Sequence, residues 1–434
     1  MNSELLDGRR ELPRFGTRPY VKFVNELNLA LGSSPTKRSV VHLLNGRAGE
    51  RCLDLVRPQS VRRLGAFFTP SNIAQRVVKQ LTVAKWDHAF FFDPACGAAD
   101  LLIPIAKKLP LRPAVSSTLQ LWNERIWGCD ISPEFIEAAR LRLVLLAVTR
   151  GCKLDDTPTN LTALLSNLFV ADGLSVSDQY SKSSHIVMNP PFGRVRIEND
   201  RPWREGTVCA AALFMERAAT LASTAAQIVA LLPEVLRTGT SYAQWRSHIS
   251  QYVTRSKPRS IGLFSSYADV DVFIQHFKKR ETSVSPKPHR KNSTHSTIGD
   301  HFIVNVGTVV PHRHPKLGAK FAYLHSKNAS PWDEIQRIGE TRKFWGRTFA
   351  PPFVVLRRTS RPGEGHRAIA TLVLGKRRVA VENHLIVLLP RRGSVPICRR
   401  LMCLLHSSKT DVVLDQTMRC RHLTTGSVSS LPWF

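Results

Sequence analysis

The stretch AFFFDPACGAAD, residues 89–100, is a short apolar run that ends in an aspartate and leads into a turn of small residues. The run is typical of a buried strand, and the small residues allow close approach of the backbone to a ligand. Five similar runs follow, separated by longer segments of helical pattern: IWGCD (126–130), LFVAD (168–172), HIVMN (185–189), QIVALLP (227–233) and IGLF (261–264). Apolar strands that alternate with helices predict a doubly wound α/β fold with a mostly parallel sheet.

The chain divides into four segments by pattern. Residues 1–62 are basic with helical periodicity, and residues 63–278 carry the alternating strands and helices. Two helices are predicted in that second segment, PEFIEAARLRLVLLAV (133–148) and AALFMERAATLA (211–222). Residues 279–300 are rich in serine and proline and have no periodicity, which predicts a linker. From 301 to 434 the pattern turns to β alternation with one helix candidate, which predicts a separate α+β domain.

The charge of the chain indicates a polyanionic partner. The 434 residues contain 62 lysines and arginines against 33 aspartates and glutamates, which gives a net charge of +29. From residue 279 onward there are 27 basic residues and 9 acidic ones, so much of the excess lies in the last third. Nucleic acid is the simplest partner for such a basic region, and a solvated surface without a partner is the alternative.

Several classes of protein are not indicated by the sequence. The start, MNSELLDGRR, has no apolar segment of a signal peptide, and no apolar stretch approaches the length of a membrane span. The eight cysteines form no CxxC pair, and we therefore expect reduced thiols and a cytoplasmic protein without a membrane partner. No metal site is predicted, since His312 and His314 lack further ligands at suitable spacing.

Polar side chains end four of the predicted strands. Asp93, Asp130, Asp172 and Asn189 each close an apolar run. Ligands of open α/β sheets bind at the carboxyl ends of the strands, so these side chains are expected to line one site. A carboxylate at the end of the second strand can accept hydrogen bonds from both hydroxyls of a ribose. The set predicts a cofactor that contains a nucleoside.

Five motifs occur in an order that resembles N6-adenine DNA methyltransferases of restriction–modification systems. They are GAFFTP (65–70), DPACGAADL (93–101), GCDISPE (128–134), VADGL (170–174) and NPPF (189–192). The order matches the branch in which the cofactor motifs precede NPPF and a target-recognition domain comes last, as in type II enzymes and type I modification subunits. The resemblance makes residues 63–278 an S-adenosylmethionine-dependent methyltransferase domain, and 301–434 a basic DNA target-recognition domain.

The resemblance also implies roles for individual residues. Phe68, Thr69 and Pro70 would pack against the methionine end of S-adenosyl-L-methionine, and the loop Asp93, Pro94, Ala95, Cys96 and Gly97 would hold the cofactor. Asp130 would bind the ribose, Ile131 would pack on the adenine ring, and Asp172 would contact its amino group. Asn189, Pro190, Pro191 and Phe192 would hold the target adenine. Double-stranded DNA is the implied substrate, and a separate restriction endonuclease is an implied partner.

The NPPF tetrapeptide suits the chemistry of an exocyclic amine. Two prolines end the strand and stiffen the elbow that presents Asn189 and the Pro190 carbonyl. If these two oxygens accept the N6 hydrogens, the nitrogen lone pair turns towards the methyl donor. Phe192 offers an aromatic face to a base that has left the duplex. No cysteine nucleophile is needed, and Cys96 is interpreted as a small loop residue.

Two other interpretations remain open from the sequence. The chain could methylate guanine amines in RNA or glutamine amides in release factors, because both use an NPP motif followed by an aromatic residue. It could also bind DNA without catalysis, since Ala98 and Ala99 stand where the family has serine, glycine or similar small residues. An alanine there would be strained if its φ is positive. In the basic domain, Arg357, Arg358, Lys376, Arg377 and Arg378 are candidates for contacts with DNA.

Overall fold

The computed structural model describes residues 18–33, 37–45, 68–264, 270–282, 296–360, 363, 365–418 and 421–434. These residues fall into two compact units, the first within 1–233 and 244–286 and the second within 234–243 and 287–434. Much of the predicted N-terminal segment and residues 283–295 of the predicted linker lie outside the described residues. The predicted domain boundaries therefore stay predictions.

Six of the ten strands of the first unit coincide or overlap with the apolar runs of the sequence. Their bounds are β1 Phe91–Asp93, β2 Ile126–Asp130, β3 Leu168–Val170, β4 His185–Met188, β5 Arg194–Arg201, β6 Arg204–Cys209, β7 Gln227–Pro233, β8 Val253–Arg255, β9 Arg259–Leu263 and β10 Asp271–Lys279. An eight-stranded sheet has the order β3-β2-β1-β4-β7-β10-β8, with β9 paired to β10, while β5 and β6 form a separate hairpin. The predicted α/β fold is confirmed.

The central strands are parallel, as predicted, whereas the strands at one edge of the sheet pair antiparallel. Strands β3, β2, β1, β4 and β7 pair in parallel. Strand β10 is antiparallel to β7, and it also pairs antiparallel with β8 and β9. The run at residues 261–264 therefore overlaps an antiparallel strand beside β10 and does not continue the parallel order. The sequence analysis did not predict β10 as a separate strand.

Fifteen α-helices occur in the described residues. Their bounds are α1 Arg18–Gly32, α2 Lys37–Leu44, α3 Ser71–Val78, α4 Leu102–Ala106, α5 Val115–Arg125, α6 Pro133–Thr149, α7 Pro158–Ala163, α8 Asp178–Lys182, α9 Ala210–Leu221, α10 Glu234–Thr238, α11 Ala243–Ile249, α12 Ile298–His301, α13 Val395–His406, α14 Ser408–Thr417 and α15 Thr425–Ser429. Helix α6 begins as the sequence predicts, since Pro133 occupies its first turn and the Ser132 hydroxyl accepts from the Phe135 N–H. None of these helices is long and apolar enough to cross a membrane.

A buried arginine fastens the N-terminal helices to the loop after β1. Arg142 lies on α6 and is fully buried. Its guanidinium donates to the carbonyl of Leu43 at the end of α2, to the carbonyl of Ala98, and to the Asp100 carboxylate at 2.9 Å. Helices α1 and α2 also share one apolar core with α6. These contacts make the described part of the N-terminal segment a component of the first unit.

The second unit contains two sheets. Its strands are β11 Phe302–Val306, β12 Ala319–Leu324, β13 Glu334–Ile335, β14 Thr341–Phe344, β15 Phe353–Arg357, β16 Ala370–Val373, β17 Val379–Val381 and β18 Leu385–Pro390. The five-stranded sheet has the order β11-β18-β15-β16-β13, and the three-stranded sheet has the order β14-β12-β17. Apolar side chains of α13, including Leu401 and Leu405, share a core with Leu356 and Leu388 of the larger sheet. This is the α+β architecture that the sequence predicts.

Replacement of Arg142 should destabilise the first unit strongly. We expect Arg142→Ala to lower the free energy of unfolding by about 3–5 kcal/mol, because the buried Asp100 carboxylate loses its counter-ion. Denaturant unfolding measures the change, with Arg76→Ala on the exposed face of α3 as the control. Equal midpoints for the two variants would contradict the role assigned to Arg142.

Candidate active site

The carboxyl ends of three adjacent strands bring the predicted polar residues to one edge of the sheet. Strand β1 lies between β2 and β4 and is parallel to both. Asp93 is the last residue of β1, Asp130 is the last residue of β2, and Asn189 follows the last residue of β4. Because parallel strands end at the same edge, the three side chains share one rim.

Hydrogen bonds fasten the loop after β1 to the end of β2. The Asp93 carboxylate accepts the N–H of Ala95 at 3.0 Å, and the N–H of Cys96 donates to the carbonyl of Cys129 at 3.0 Å. The N–H of Gly97 donates to Oδ2 of Asp130, also at 3.0 Å. Residues 93–97 therefore form a compact loop whose backbone faces the carboxylate predicted to bind a ribose.

Burial changes the titration of the two rim aspartates. Burial raises the pKa of Asp93 to about 8, and the nearby charges of Asp130 and Asp100 act in the same direction. Burial also raises the pKa of Asp130 to about 6, against the lowering effect of the N–H groups of Ser132 and Gly97. At neutral pH the pair therefore carries mainly the charge of Asp130. Strongly shifted carboxyl groups in a cleft-forming rim are typical of binding sites.

Cys96 has the properties of a structural residue. Its side chain is buried, and burial raises the pKa of the thiol well above its ordinary value. A thiol that stays protonated is a poor nucleophile. A Cβ added at Gly128 would lie 3.1 Å from the Cys96 sulfur, so the cysteine also fills tightly packed space. This environment agrees with the interpretation of Cys96 as a small loop residue.

A second loop lies directly against the first. The Asp172 carboxylate accepts the N–H of Leu174 through Oδ1 at 2.9 Å, which holds the turn after β3. A Cβ added at Gly173 would lie only 1.9 Å from the carbonyl oxygen of Pro94. Any side chain at this position would separate the two loops. The glycine of VADGL is therefore needed for Asp172 to stand beside the loop 93–97.

Two exposed apolar side chains lie at the same rim. Ile131, directly after β2, is 49% exposed, and Val170, at the end of β3, is 51% exposed. Large apolar side chains at this level of exposure, next to carboxylates, suit the faces of a planar heterocycle. Together with the Asp130 carboxylate and the backbone N–H groups of the loop, they fit a nucleoside. The residues present therefore fit the adenosine part of S-adenosyl-L-methionine.

The described part of the GAFFTP motif packs over the loop 93–97. Residues 65–67 lie outside the described residues. The Phe68 ring makes an edge-on contact with Phe135 at 5.2 Å between centroids, and a Cβ added at Gly97 would touch the Phe68 ring at 3.7 Å. The carbonyl of Pro70 accepts the N–H groups of Ile73 and Ala74, which starts α3. Phe68 is thereby held next to the cofactor loop.

A hydrogen bond joins the predicted catalytic motif to the predicted cofactor motif. The side-chain amide nitrogen of Asn189 donates to the hydroxyl of Thr69 at 2.9 Å. Thr69 is buried and Asn189 is half-buried. Since the nitrogen is directed at Thr69, the side-chain oxygen lies on the other side of the amide. The contact fixes which end of the Asn189 amide faces away from the GAFFTP segment.

The rest of NPPF is partly packed. Pro190 is buried, whereas Pro191 and Phe192 are half-buried. The Phe192 ring makes an edge-on contact with Phe264, with 5.8 Å between centroids. Its carbonyl lies 3.5 Å from the sulfur of Cys209, at the end of the β5–β6 hairpin. Phe192 is therefore supported from two directions while part of its surface stays accessible.

Ala99 has the positive φ that the sequence analysis named as the condition for strain at this position. Its φ is +70°, in the left-handed region that costs an L-residue about 1–2 kcal/mol. Ala98 and Ala99 are both fully buried, and the carbonyl of Ala98 accepts from Arg142. The segment that follows the cofactor loop is thus held in place by Arg142 in spite of the strain.

Sequence reasoning missed four residues that shape this site: Val170, Gly173, Phe264 and Arg142. Val170 and Gly173 lie in a motif that was recognised, but only its aspartate was assigned a role. The signal for Arg142 was present, because it interrupts the apolar pattern of the predicted helix 133–148. A charged residue within an apolar stretch predicts a buried partner. No sequence signal could place Phe264 beside Phe192.

One protein family matches part of the chain. Residues 42–222 match the family described as N-6 DNA Methylase. The match confirms the resemblance to N6-adenine DNA methyltransferases, and it gives S-adenosyl-L-methionine as the cofactor of this α/β unit. No curated protein matches the chain.

Solved structures with a similar fold include three methyltransferases or restriction enzymes. A putative class I S-adenosylmethionine-dependent methyltransferase from Listeria monocytogenes is 16% identical over 63% of this chain and 90% of that chain, with a TM-score of 0.37. The modification subunit of a putative type I restriction enzyme from Vibrio vulnificus YJ016 is 15% identical over 57% of this chain and 48% of that chain, with a TM-score of 0.36. The type IIG restriction endonuclease BpuSI is 14% identical over 83% of this chain and 57% of that chain, with a TM-score of 0.40. The matched parts span about half the length of the two restriction-system proteins, and these likenesses are too distant to bear on activity.

Relief of the strain at Ala99 should stabilise the protein. We expect Ala99→Gly to raise the free energy of unfolding by about 0.5–1 kcal/mol, because glycine adopts a positive φ without steric cost but loses more entropy on folding. The neighbouring Ala98→Gly is the control and should lower stability, since φ is not positive there. Denaturant unfolding of both variants measures the free energies of unfolding. A lower value for Ala99→Gly than for the wild type would contradict the claim that Ala99 is strained.

Cofactor affinity should fall at mildly acidic pH. Above its pKa of about 6, Asp130 is a carboxylate that accepts hydrogen bonds, and below that pH it is protonated and loses acceptor capacity. We expect the Kd for S-adenosyl-L-methionine to rise as pH falls through about 6. Calorimetric titration from neutral to acidic pH measures this, and Asp130→Asn should bind weakly and lose the change of slope near pH 6. The same midpoint in Asp130→Asn would assign the titration to another group.

Proposed function

From the match of residues 42–222 to the N-6 DNA methylase family, we propose that the chain methylates the N6 amine of adenine in double-stranded DNA. The observation that carries this proposal is the hydrogen bond between Asn189 and Thr69. It connects the residue proposed to hold the amine with the segment proposed to hold the methyl donor. A methyl transfer requires both reactants in contact and in line, which a direct link between the two motifs favours.

The cofactor residues act by holding and orienting. S-adenosyl-L-methionine supplies an electrophilic methyl group on a sulfonium sulfur. We assign the ribose to Asp130, whose oxygens each accept one backbone N–H and keep lone pairs for hydroxyl groups. Ile131 would pack on the adenine ring, and Asp172 would accept from its amino group through Oδ2. Phe68, Thr69 and Pro70 would line the methionine end, and the loop Asp93–Gly97 would hold the cofactor.

The target amine is held by two oxygens. The N6 nitrogen of adenine is a poor nucleophile because its lone pair is delocalised into the ring. The Asn189 side-chain oxygen and the Pro190 carbonyl accept its two hydrogens and turn the lone pair towards the methyl group. Pro190 and Pro191 fix the distance between the two acceptors, so no reorganisation is needed during the reaction. With the cofactor bound, the nitrogen would attack its methyl carbon as the carbon–sulfur bond breaks to leave a neutral thioether, and the methylated amine would pass a proton to the solvent.

Phe192 provides a platform for a base that has left the duplex. Its edge-on contact with Phe264 holds the ring at the elbow, while part of its surface stays accessible. Stacking of a base on an aromatic ring contributes about 1–3 kcal/mol, which offsets part of the cost of flipping. The high positive charge of the chain favours DNA as the carrier of this base. The motif order supports a role in a restriction–modification system, and a separate restriction endonuclease is the partner that we propose.

One assay separates this proposal from the other interpretations. Radiolabelled S-adenosyl-L-methionine is incubated with the chain and, in parallel, with duplex DNA, ribosomal RNA and a release factor. We expect label in DNA, and nucleoside analysis should identify N6-methyladenine. Label only in RNA or only in the protein would assign the site to another planar nitrogen. If excess enzyme transfers no label, and if its affinity for DNA is the same with and without the cofactor, the chain is a non-catalytic DNA-binding protein.

Asn189 is the residue whose loss should reduce activity most selectively. We expect Asn189→Ala to lower the rate of methyl transfer by about 10²–10³-fold, by analogy with removal of one positioned hydrogen-bonding group in an oxyanion hole. Single-turnover methylation measures the rate, and calorimetry checks that cofactor binding persists. Asn160→Ala is the control, since that asparagine is exposed at the start of α7. An unchanged rate in Asn189→Ala would refute the assignment.

A further inference from the structure

Three of the four arginines first considered as DNA contacts in the second unit are partly occupied, and the fourth, Arg377, is exposed. Arg357, Arg358 and Arg378 each donate from the guanidinium to backbone carbonyls, those of Ala329, Asn383 and Thr348 respectively. Arg357 and Arg358 are also half-buried. Side chains that hold the fold together have fewer donors left for phosphates. A different surface of the second unit carries exposed basic side chains next to exposed apolar ones.

Two large apolar side chains are strongly exposed at one end of the three-stranded sheet. Leu317, two residues before β12, is 61% exposed, and Trp345, directly after β14, is 68% exposed. We call these two side chains the apolar tip. Exposure of a tryptophan to this degree is unusual on a protein surface and points to a partner.

The backbone holds the apolar tip in place. Strands β12 and β14 are antiparallel, with Ala319 opposite Phe344, so the segments that carry the tip leave the sheet at the same end. Gly318 has a φ of +94°, and a Cβ there would lie 2.8 Å from the Phe344 carbonyl. Leu317 directly precedes Gly318, and Trp345 directly follows Phe344, which are the two residues of this contact. Their positions are therefore set by tight backbone packing.

Only positive charge surrounds the apolar tip within its own segments. Residues 311–320 and 341–347 contain no aspartate or glutamate. They contain five exposed basic residues, which are Arg313, Lys316, Lys320, Lys343 and Arg347. His314 lies among them, with its ring 6.1 Å from that of Trp345. We call these basic residues the basic collar.

Two lysines of the basic collar face each other across the sheet. Lys320 and Lys343 are a directly opposed cross-strand pair, and both are exposed. Like charges in this arrangement destabilise a sheet. An anion bound between them would remove the repulsion. The pairing is therefore an independent sign that the surface is completed by a polyanion.

We infer that the apolar tip and the basic collar bind duplex DNA, with Trp345 and Leu317 against the bases and the lysines on the phosphates. Apolar wedges flanked by basic side chains are a known way to enter a DNA groove and part a base step. The phosphates supply affinity, and the aromatic ring stacks on a base. This inference rests on the proposed function for its choice of DNA over RNA.

Binding of DNA tests the inference without any methyl transfer. Fluorescence anisotropy of a labelled mixed-sequence DNA duplex, titrated with the full-length chain at several salt concentrations, gives the affinity and its salt dependence. We expect Trp345→Ala to weaken binding by about tenfold or more with the salt slope unchanged, since stacking on a base is not ionic. Lys320→Ala and Lys343→Ala should each reduce the salt slope by about one. Trp345→Phe should restore most of the affinity.

Matched controls separate failure of this inference from failure of the proposed function. Lys327→Ala changes an exposed lysine beyond the other end of β12, and Phe434→Ala removes another exposed aromatic ring. Both should bind DNA like the wild type. If the tip and collar variants also bind like the wild type, the inference is wrong, whatever the methylation assay gives. Tighter binding of an RNA duplex of the same sequence, lost in Trp345→Ala, would overturn the choice of DNA. Thermal unfolding verifies that each variant is folded.

Discussion

The path of the chain after β1, at the edge where the predicted site residues lie, depends on the buried guanidinium of Arg142. The guanidinium binds the carbonyl of Leu43 on α2, and it also binds the Ala98 carbonyl and the Asp100 carboxylate after β1. Three segments distant in sequence, α2, the segment after β1 and α6, therefore meet at a single charge. Ala99 keeps a strained φ next to these bonds. Without the arginine, neither the strain nor the buried Asp100 would be compensated. The segment that follows the loop after β1 therefore rests on this interaction.

The rim itself combines two kinds of constraint. Hydrogen bonds from backbone N–H groups hold Asp93 and Asp130, so their positions follow from the turns after β1 and β2. Close packing governs the loop at Gly173, where no side chain could be accommodated. Asn189 is held differently, by a side chain from the segment before α3. A site built from several independent supports tolerates drift in surrounding sequence as long as each support remains.

Much of this arrangement could be predicted from the sequence, for physical reasons. Buried parallel strands require near-continuous apolar runs, and their ends are marked by aspartate, asparagine and proline, so the positions of Asp93, Asp130 and Asn189 followed directly. Strand β10 was harder, because its polar residues Gln275 and His276 interrupt the apolar pattern. Contacts across the fold, such as those of Arg142 with Leu43 and of Phe192 with Phe264, are long-range and leave no periodic trace. The surface around Trp345 was missed because exposure cannot be read from composition.

The raised pKa of Asp93 has a consequence for how a positively charged ligand enters. Near neutral pH this carboxyl holds a proton, which keeps two buried negative charges from facing each other. Arrival of a sulfonium or ammonium group in the neighbourhood favours the ionised form, and the proton leaves for the solvent. Binding of such a group would thus exchange one cation, the proton, for another. The heat measured on binding should accordingly vary with the ionisation enthalpy of the buffer.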